Sequence, residues 1–149
     1  MSSKHVFSMA GKRPSFEEDG VADIEVVVTK AQSDGRYTIM RSRWLSTFEV
    51  IPHYHKDHSE TFFVLEGQVE WTVGGETHLM NPGDAVYIPP NTVHSVKVAG
   101  GKDMHMLMVY EPGGYEDQAD YKMNFTAEEL EDPEVKDRIR KKSDFHVAE

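Results

Sequence analysis

The sequence predicts an all-β domain, an antiparallel sandwich or barrel, followed by a short C-terminal helix. Three observations predict it. Eight short segments between residues 24 and 110 are rich in β-branched and aromatic residues, turn signals separate them at about ten-residue spacing, and no helical period intervenes.

The first 20 residues mix Ser, Lys, Gly, Pro and acids without any period, and residues 1–22 read as a loose arm. Strands are expected at 24–29, 36–43, 45–51, 61–65, 68–73, 84–88, 93–98 and 103–110. Ser33-Asp34-Gly35, Glu66-Gly67, Gly74-Gly75, Asn81-Pro82-Gly83-Asp84, Pro89-Pro90-Asn91 and Ala99-Gly100-Gly101 punctuate them. The barrel is therefore bounded at 23–114, with a C-terminal extension over 115–149. Within that extension Thr126-Ala127-Glu128-Glu129 is a capping box, and Asp132-Pro133 is an N-cap followed by Pro at the first helical position. The helix so introduced runs over about 133–142, with Val135 and Ile139 as its apolar stripe. Its basic residues, Lys136, Arg138, Arg140, Lys141 and Lys142, read as a solvated face in an acidic protein.

The 149 residues suit one domain and leave little room for a separate cofactor domain. Hydrophobic residues make up 38% and aromatics 10%, enough for one packed core. Sixteen basic against 26 acidic residues give a net charge of −10, which repels polyanions and argues against nucleic-acid or acidic-membrane partners. The absence of cysteine excludes disulfides, thiolate zinc sites, iron–sulfur clusters and cysteine nucleophiles. No apolar run reaches 18 residues and the start lacks a hydrophobic signal core, so a cytoplasmic location is expected.

Of eight histidines, five lie between residues 53 and 94. On an extended chain His53 and His55 point to the same face and aim both imidazoles at one place. Glu60 opens the next strand and returns a carboxylate there, while His94 opens a later strand behind the turn Pro89-Pro90-Asn91. A closed sheet brings the four together. Three imidazoles and a carboxylate suit a divalent first-row metal (Fe, Mn, Co, Ni, Cu or Zn) and fit Mg or Ca poorly. Four protein ligands leave one or two positions for exchangeable ligands, as a catalytic metal requires. The competing reading of an isolated H-x-H is a solvent-facing strand.

These residues resemble the cupin family. Its first motif, G-x5-H-x-H-x(3,4)-E-x6-G, is similar to residues 53–67: His53, Tyr54, His55, four residues, Glu60, six residues, Gly67. Its second, G-x5-P-x-G-x2-H-x3-N, is similar to residues 83–94: Gly83, five residues, Pro89, Pro90, Asn91, two residues, His94. The tail, Glu111-Pro112-Gly113-Gly114-Tyr115 and then Asp132-Pro133-Glu134, resembles small cupins of the quercetin-2,3-dioxygenase-like type. Three departures stand out. Thr47 replaces the leading glycine, Asn91 the motif-two glycine and Val98 the terminal asparagine, and none touches a ligand.

The resemblance implies a double-stranded β-helix, the jelly-roll barrel of cupins, with His53, His55, Glu60 and His94 holding the metal. His58, between His55 and Glu60, competes as a ligand; its alternatives are an exposed loop residue or a partner behind the ligands. His78 and His105 read as surface or subunit-contact residues. Strand alternation places Phe62, Val96, Met106 and Met108 beside the metal as an apolar substrate pocket, though such stripes also serve as plain core. Arg41 or Tyr37 are open as additions from the second strand. The expected activity is a dioxygenase of an enolisable or aromatic oxygen-bearing small molecule, with Glu60 as base, its pKa raised at the edge of the bowl. A metal-dependent isomerase or lyase, and a non-catalytic binding module, are the alternatives. A homodimer is expected because such barrels expose edge strands.

Overall fold

Period-two alternation decides the layering. In β3 (Thr38–Trp44) residues 38, 40, 42 and 44 are buried, and in β10 (Met104–Glu111) residues 104, 106, 108 and 110 are. Each strand therefore turns one face to a common interior, as antiparallel sheets with a single covered face do. The computed structural model describes residues 4–149. The remaining strands are β1 (Ser15–Glu18), β2 (Ala22–Val28), β4 (Glu49–Tyr54), β5 (Ser59–Glu66), β6 (Gln68–Val73), β7 (Glu76–Met80), β8 (Ala85–Ile88), β9 (His94–Ala99) and β11 (His146–Val147). They form a six-stranded sheet in the order β1-β2-β3-β10-β5-β8 and a five-stranded sheet in the order β11-β4-β9-β6-β7. All pairings are antiparallel among the described residues, and the two sheets pack as a double-stranded β-helix.

The core between them is aromatic at its centre. Trp44 stacks on Phe48 with ring centroids 4.1 Å apart, and Phe62 lies 4.4 Å from Trp71. Met40, Val64, Val69, Met104 and Met106 fill the space around these rings and are inaccessible to solvent.

The structure departs from the sequence expectation in three places. The arm before the barrel is not loose throughout: β1 pairs with β2 from Ser15↔Glu25 to Glu18↔Ala22, and Arg13 Nη1 meets Glu25 Oε1 at 2.6 Å. Residues 1–3 of that arm lie outside the described residues. β7 was not expected, because only Met80 of its five residues is buried and no apolar alternation marks it. A short helix, α1 (Asp117–Lys122), fills part of the extension. It carries no side-chain cap that sequence inspection recognises.

The second helix, α2 (Pro133–Lys142), forms as its signals predict. Asp132 Oδ1 accepts from Glu134 N at 2.8 Å, Pro133 occupies the first turn, and Val135 and Ile139 are the buried residues. Thr126 and Glu129 also exchange the two bonds of a capping box, though they cap only the 3-10 turn Glu129–Glu131. Beyond α2, Asp144 takes a left-handed conformation (φ 56°) and turns the chain back so that β11 pairs with β4. No helix among the described residues is long and apolar enough to cross a membrane.

Candidate metal centre

The ends of β4, β5 and β9 converge. His53 on β4 lies directly opposite His94 on β9, and their ring centroids are 4.1 Å apart. This register follows an irregularity between Val50 and His53. Pro52, which has no N–H to give a ladder, sits within it, where prolines are tolerated in sheets. His55 follows two residues later on the same side, and Asn91 (φ 63°) donates its N–H to His55 O at 2.6 Å, tying the turn before β9 to the end of β4. Asn in place of the motif glycine thus adopts the left-handed backbone. Glu60 at the start of β5 pairs across to Tyr110 and Ile88 and is buried.

Each imidazole of the cluster has one nitrogen committed. Nδ1 of His53 donates to Ile51 O at 2.7 Å, of His55 to Asp144 O at 2.8 Å, of His94 to Thr92 O at 2.8 Å, and of His58 to Asp144 Oδ2 at 2.9 Å. In a neutral ring the other nitrogen, Nε2, is then a lone-pair donor. Those nitrogens face Glu60: Oε1 is 3.3 Å from His55 and 3.6 Å from His58, and Oε2 is 3.3 Å from His94. None of the three contacts has hydrogen-bond geometry, and Nε2 of His55, His58 and His94 is buried without a partner. Buried polar atoms are ordinarily satisfied, and lone pairs turned on a carboxylate repel it. A divalent cation between them resolves both conflicts. The donor set therefore fits a first-row metal: the Nε2 atoms of His53, His55 and His94 form one group whose ligand atoms lie within 4.8 Å of one another.

The electrostatics agree with this assignment. Burial pushes the Glu60 carboxyl up, but the imidazoles of His55, His58 and His94 outweigh it and hold the group well below the usual carboxylate range. The raised pKa expected of Glu60 is thus reversed, because the carboxylate is surrounded by nitrogens rather than by an apolar wall. Burial and the neighbouring His94 bring His53 down to about 4, so it is neutral and available as a ligand at neutral pH. Burial also lowers His55, and Glu60 with Asp144 more than restores it.

The C-terminal segment walls the cluster. Phe145 stacks on His53 at 4.3 Å, Tyr110 stacks on His58 at 3.7 Å, and Ala148 N donates to Pro52 O at 3.0 Å. Asp144, Phe145 and Tyr110 were not singled out from sequence. Asp144 and Phe145 follow the expected helix as isolated residues and reach the site only by chain reversal. Tyr110 has one signal: it continues the alternation of Met104, Met106 and Met108.

Of the proposed pocket residues, Met106 is fully buried and Phe62, Val96 and Met108 nearly so, all within the central cluster. Phe62 communicates with the ligands through Trp71, whose ring is 6.1 Å from His94. Trp71 Nε1 is itself buried without an acceptor. His58 is not an exposed loop residue: it is 4% exposed and part of the cluster. His78 is exposed and pairs with Glu76, and His105 is on the outward side of β10. Arg41 points to solvent, since the alternation of β3 turns residues 40 and 42 inward, and Tyr37 precedes the strand.

Residues 46–110 match the family model described as Cupin domain. The chain is 39% identical over 95 residues to quercetin 2,3-dioxygenase of Bacillus subtilis (strain 168), covering 61% of this chain and 27% of that protein. It is 35% identical over 78 residues to an uncharacterized protein of Aquifex aeolicus, covering 52% of this chain and 60% of the relative. The chain thus matches well under two thirds of either relative's length. Among solved structures, KdgF from Halomonas sp. superposes with a TM-score of 0.67 at 19% identity, over 76% of this chain and 99% of that one, a likeness of fold.

Proposed function

The chain carries a small cupin domain of the quercetin-dioxygenase-like type, and from that premise we propose that it is a metal-dependent dioxygenase of a small molecule bearing an enolisable or aromatic oxygen. The observation that carries the reading is the set of Nε2 lone pairs converging on Glu60. His53, His55, His94 and Glu60 would hold one divalent first-row ion. Such an ion supplies Lewis acidity toward a coordinating oxygen and, where redox-active, an electron route to dioxygen. The 39% identity to the Bacillus enzyme supports dioxygen as co-substrate.

The protein's own groups have distinct tasks. The Nδ1 bonds to Ile51, Asp144 and Thr92 fix the ring planes and tautomers before any ligand arrives. Glu60, held as a carboxylate, contributes negative charge and accepts a hydrogen bond from a substrate hydroxyl. Its depressed pKa makes it a weak base, so it orients that proton more than it removes it. Phe62, Val96, Met106 and Met108 keep water from the interior side, and Trp71 Nε1 is a donor free to bond a substrate oxygen.

Purified protein reloaded separately with Fe, Mn, Co, Ni, Cu and Zn, then assayed for oxygen uptake with flavonols, β-diketones and catechols, tests the reading. Uptake with at least one metal, lost in His53→Ala, is expected. Conversion of the same compounds without oxygen would replace the dioxygenase by an isomerase or lyase. Binding without conversion would leave a binding module.

A further inference from the structure

His58 is the one buried histidine that the four-ligand reading leaves without a task. Its ring is 4% exposed, clamped against Tyr110 at 3.7 Å, and its Nε2 is buried and unpartnered. Together with His55 and Glu60 it forms a second group whose ligand atoms lie within 4.8 Å of one another. Glu60 stands between the two groups, Oε1 turned toward His55 and His58 and Oε2 toward His94. Atoms bound to one first-row ion at about 2.0–2.1 Å stand roughly 3 Å apart, close to the 3.3 and 3.6 Å seen here.

What builds this second group is a single residue of the C-terminal segment. Asp144 Oδ2 accepts from His58 Nδ1 at 2.9 Å and from Asp57 N at 2.7 Å. Its Oδ1 accepts from Lys56 N at 3.1 Å and from His146 Nε2 at 2.9 Å, and its main-chain oxygen accepts from His55 Nδ1. Five donors on one residue, held in a left-handed backbone, fix the turn between His55 and Glu60 and aim both Nε2 atoms inward. A carboxylate behind an imidazole is also the partner that orients a metal-binding histidine and strengthens it as a donor.

We propose that the centre has two overlapping ligand sets that share His55, namely His53/His55/His94 and His55/His58/Glu60, and that Asp144 is the positioning residue that makes His58 a ligand. This rests on the reading of the cluster as a metal centre. Its competitor is a purely structural His58, bridging Asp144 and Glu60 without touching the ion.

Titration of the metal-free full chain with Co(II), followed by its visible absorption and by chelator competition, separates these. The wild type binds one Co(II). His58→Ala, and His58→Gln as a milder replacement, weaken binding at least tenfold with a changed absorption band. Asp144→Ala weakens it about tenfold, and Asp144→Asn recovers part of the loss. His94→Ala still binds, more weakly, whereas the His58→Ala/His94→Ala double variant does not. The proposal is overturned if the His58 variants match the wild type, if His94→Ala alone abolishes binding, or if the double variant binds like His94→Ala. A wild type that binds no Co(II) overturns the metal-centre reading itself. Circular dichroism of each variant separates lost binding from lost fold.

Discussion

Phe145 stacks on His53, with ring centroids 4.3 Å apart and planes 15° from parallel. The contact joins the segment after α2 to the metal centre and holds β11 against β4, where His146 and Val147 pair with Tyr54 and His53. Arg140 covers the other part of the phenyl ring, its guanidinium carbon 5.7 Å from the centroid. Phe145→Ala is expected to destabilise the protein by about 1–2 kcal/mol, since a half-buried ring and one aromatic pair are lost. Urea unfolding measures the loss, and cleavage within residues 143–149 by limited proteolysis should become faster. Unchanged proteolysis would show that the β11 pairing holds without the ring.

Metal removal gives the second expectation. An ion that binds the folded chain and not the unfolded one stabilises it by about 4 kcal/mol at a thousandfold excess over its dissociation constant. For a chain of this length that is a rise in Tm of roughly 10 °C. Calorimetry with and without chelator should show this difference in the wild type and a much smaller one in His53→Ala.

Glu18 provides the pH dependence. Burial raises its pKa above 4.5, while Lys122 and the Tyr115 hydroxyl, which donates at 3.0 Å, only partly offset the rise. A folded acid with a raised pKa favours folding below pH 4.5, and that contribution is lost as pH rises through the folded pKa. Glu18→Gln keeps an acceptor for Tyr115 and removes the buried charge. Its stability relative to wild type should therefore increase from pH 4 to pH 7.5, read as the difference in urea midpoints. A difference independent of pH would mean that Glu18 titrates alike in both states.

Gly67 turns β5 into β6 with φ 83°, and a Cβ there would lie 2.7 Å from Met104 Cβ and 2.8 Å from Asp103 O. Gly67→Ala combines a strained backbone with a clash against a neighbouring strand, and a loss of about 2–4 kcal/mol is expected. Thermal unfolding checks it. Gly75, also at positive φ but with nothing within 4 Å of the added atom, should cost less when replaced by Ala.

Much of the barrel was legible because burial follows sequence period. Residues 38–44 and 104–110 announce their facing by alternation, and the two motifs locate His53, His55, Glu60 and His94. β7 escaped because its outward residues carry no pattern, and β1 because four residues at an edge need only one apolar anchor, Phe16. The pKa of Glu60 was misjudged because its direction depends on which groups surround the carboxylate, not on the carboxylate's place in a strand.

By itself the sequence determined the class of fold, the two helix caps at Thr126 and Asp132, and the residue types available to a metal. These depend on neighbours within a few positions, where backbone preference and side-chain period act. Only the tertiary structure decided that His58 is buried beside Glu60 and that Asp144 holds it from 86 residues away. A hydrogen bond over that separation leaves no local trace, because it is set by the chain reversal after α2 and by the pairing of β11 with β4.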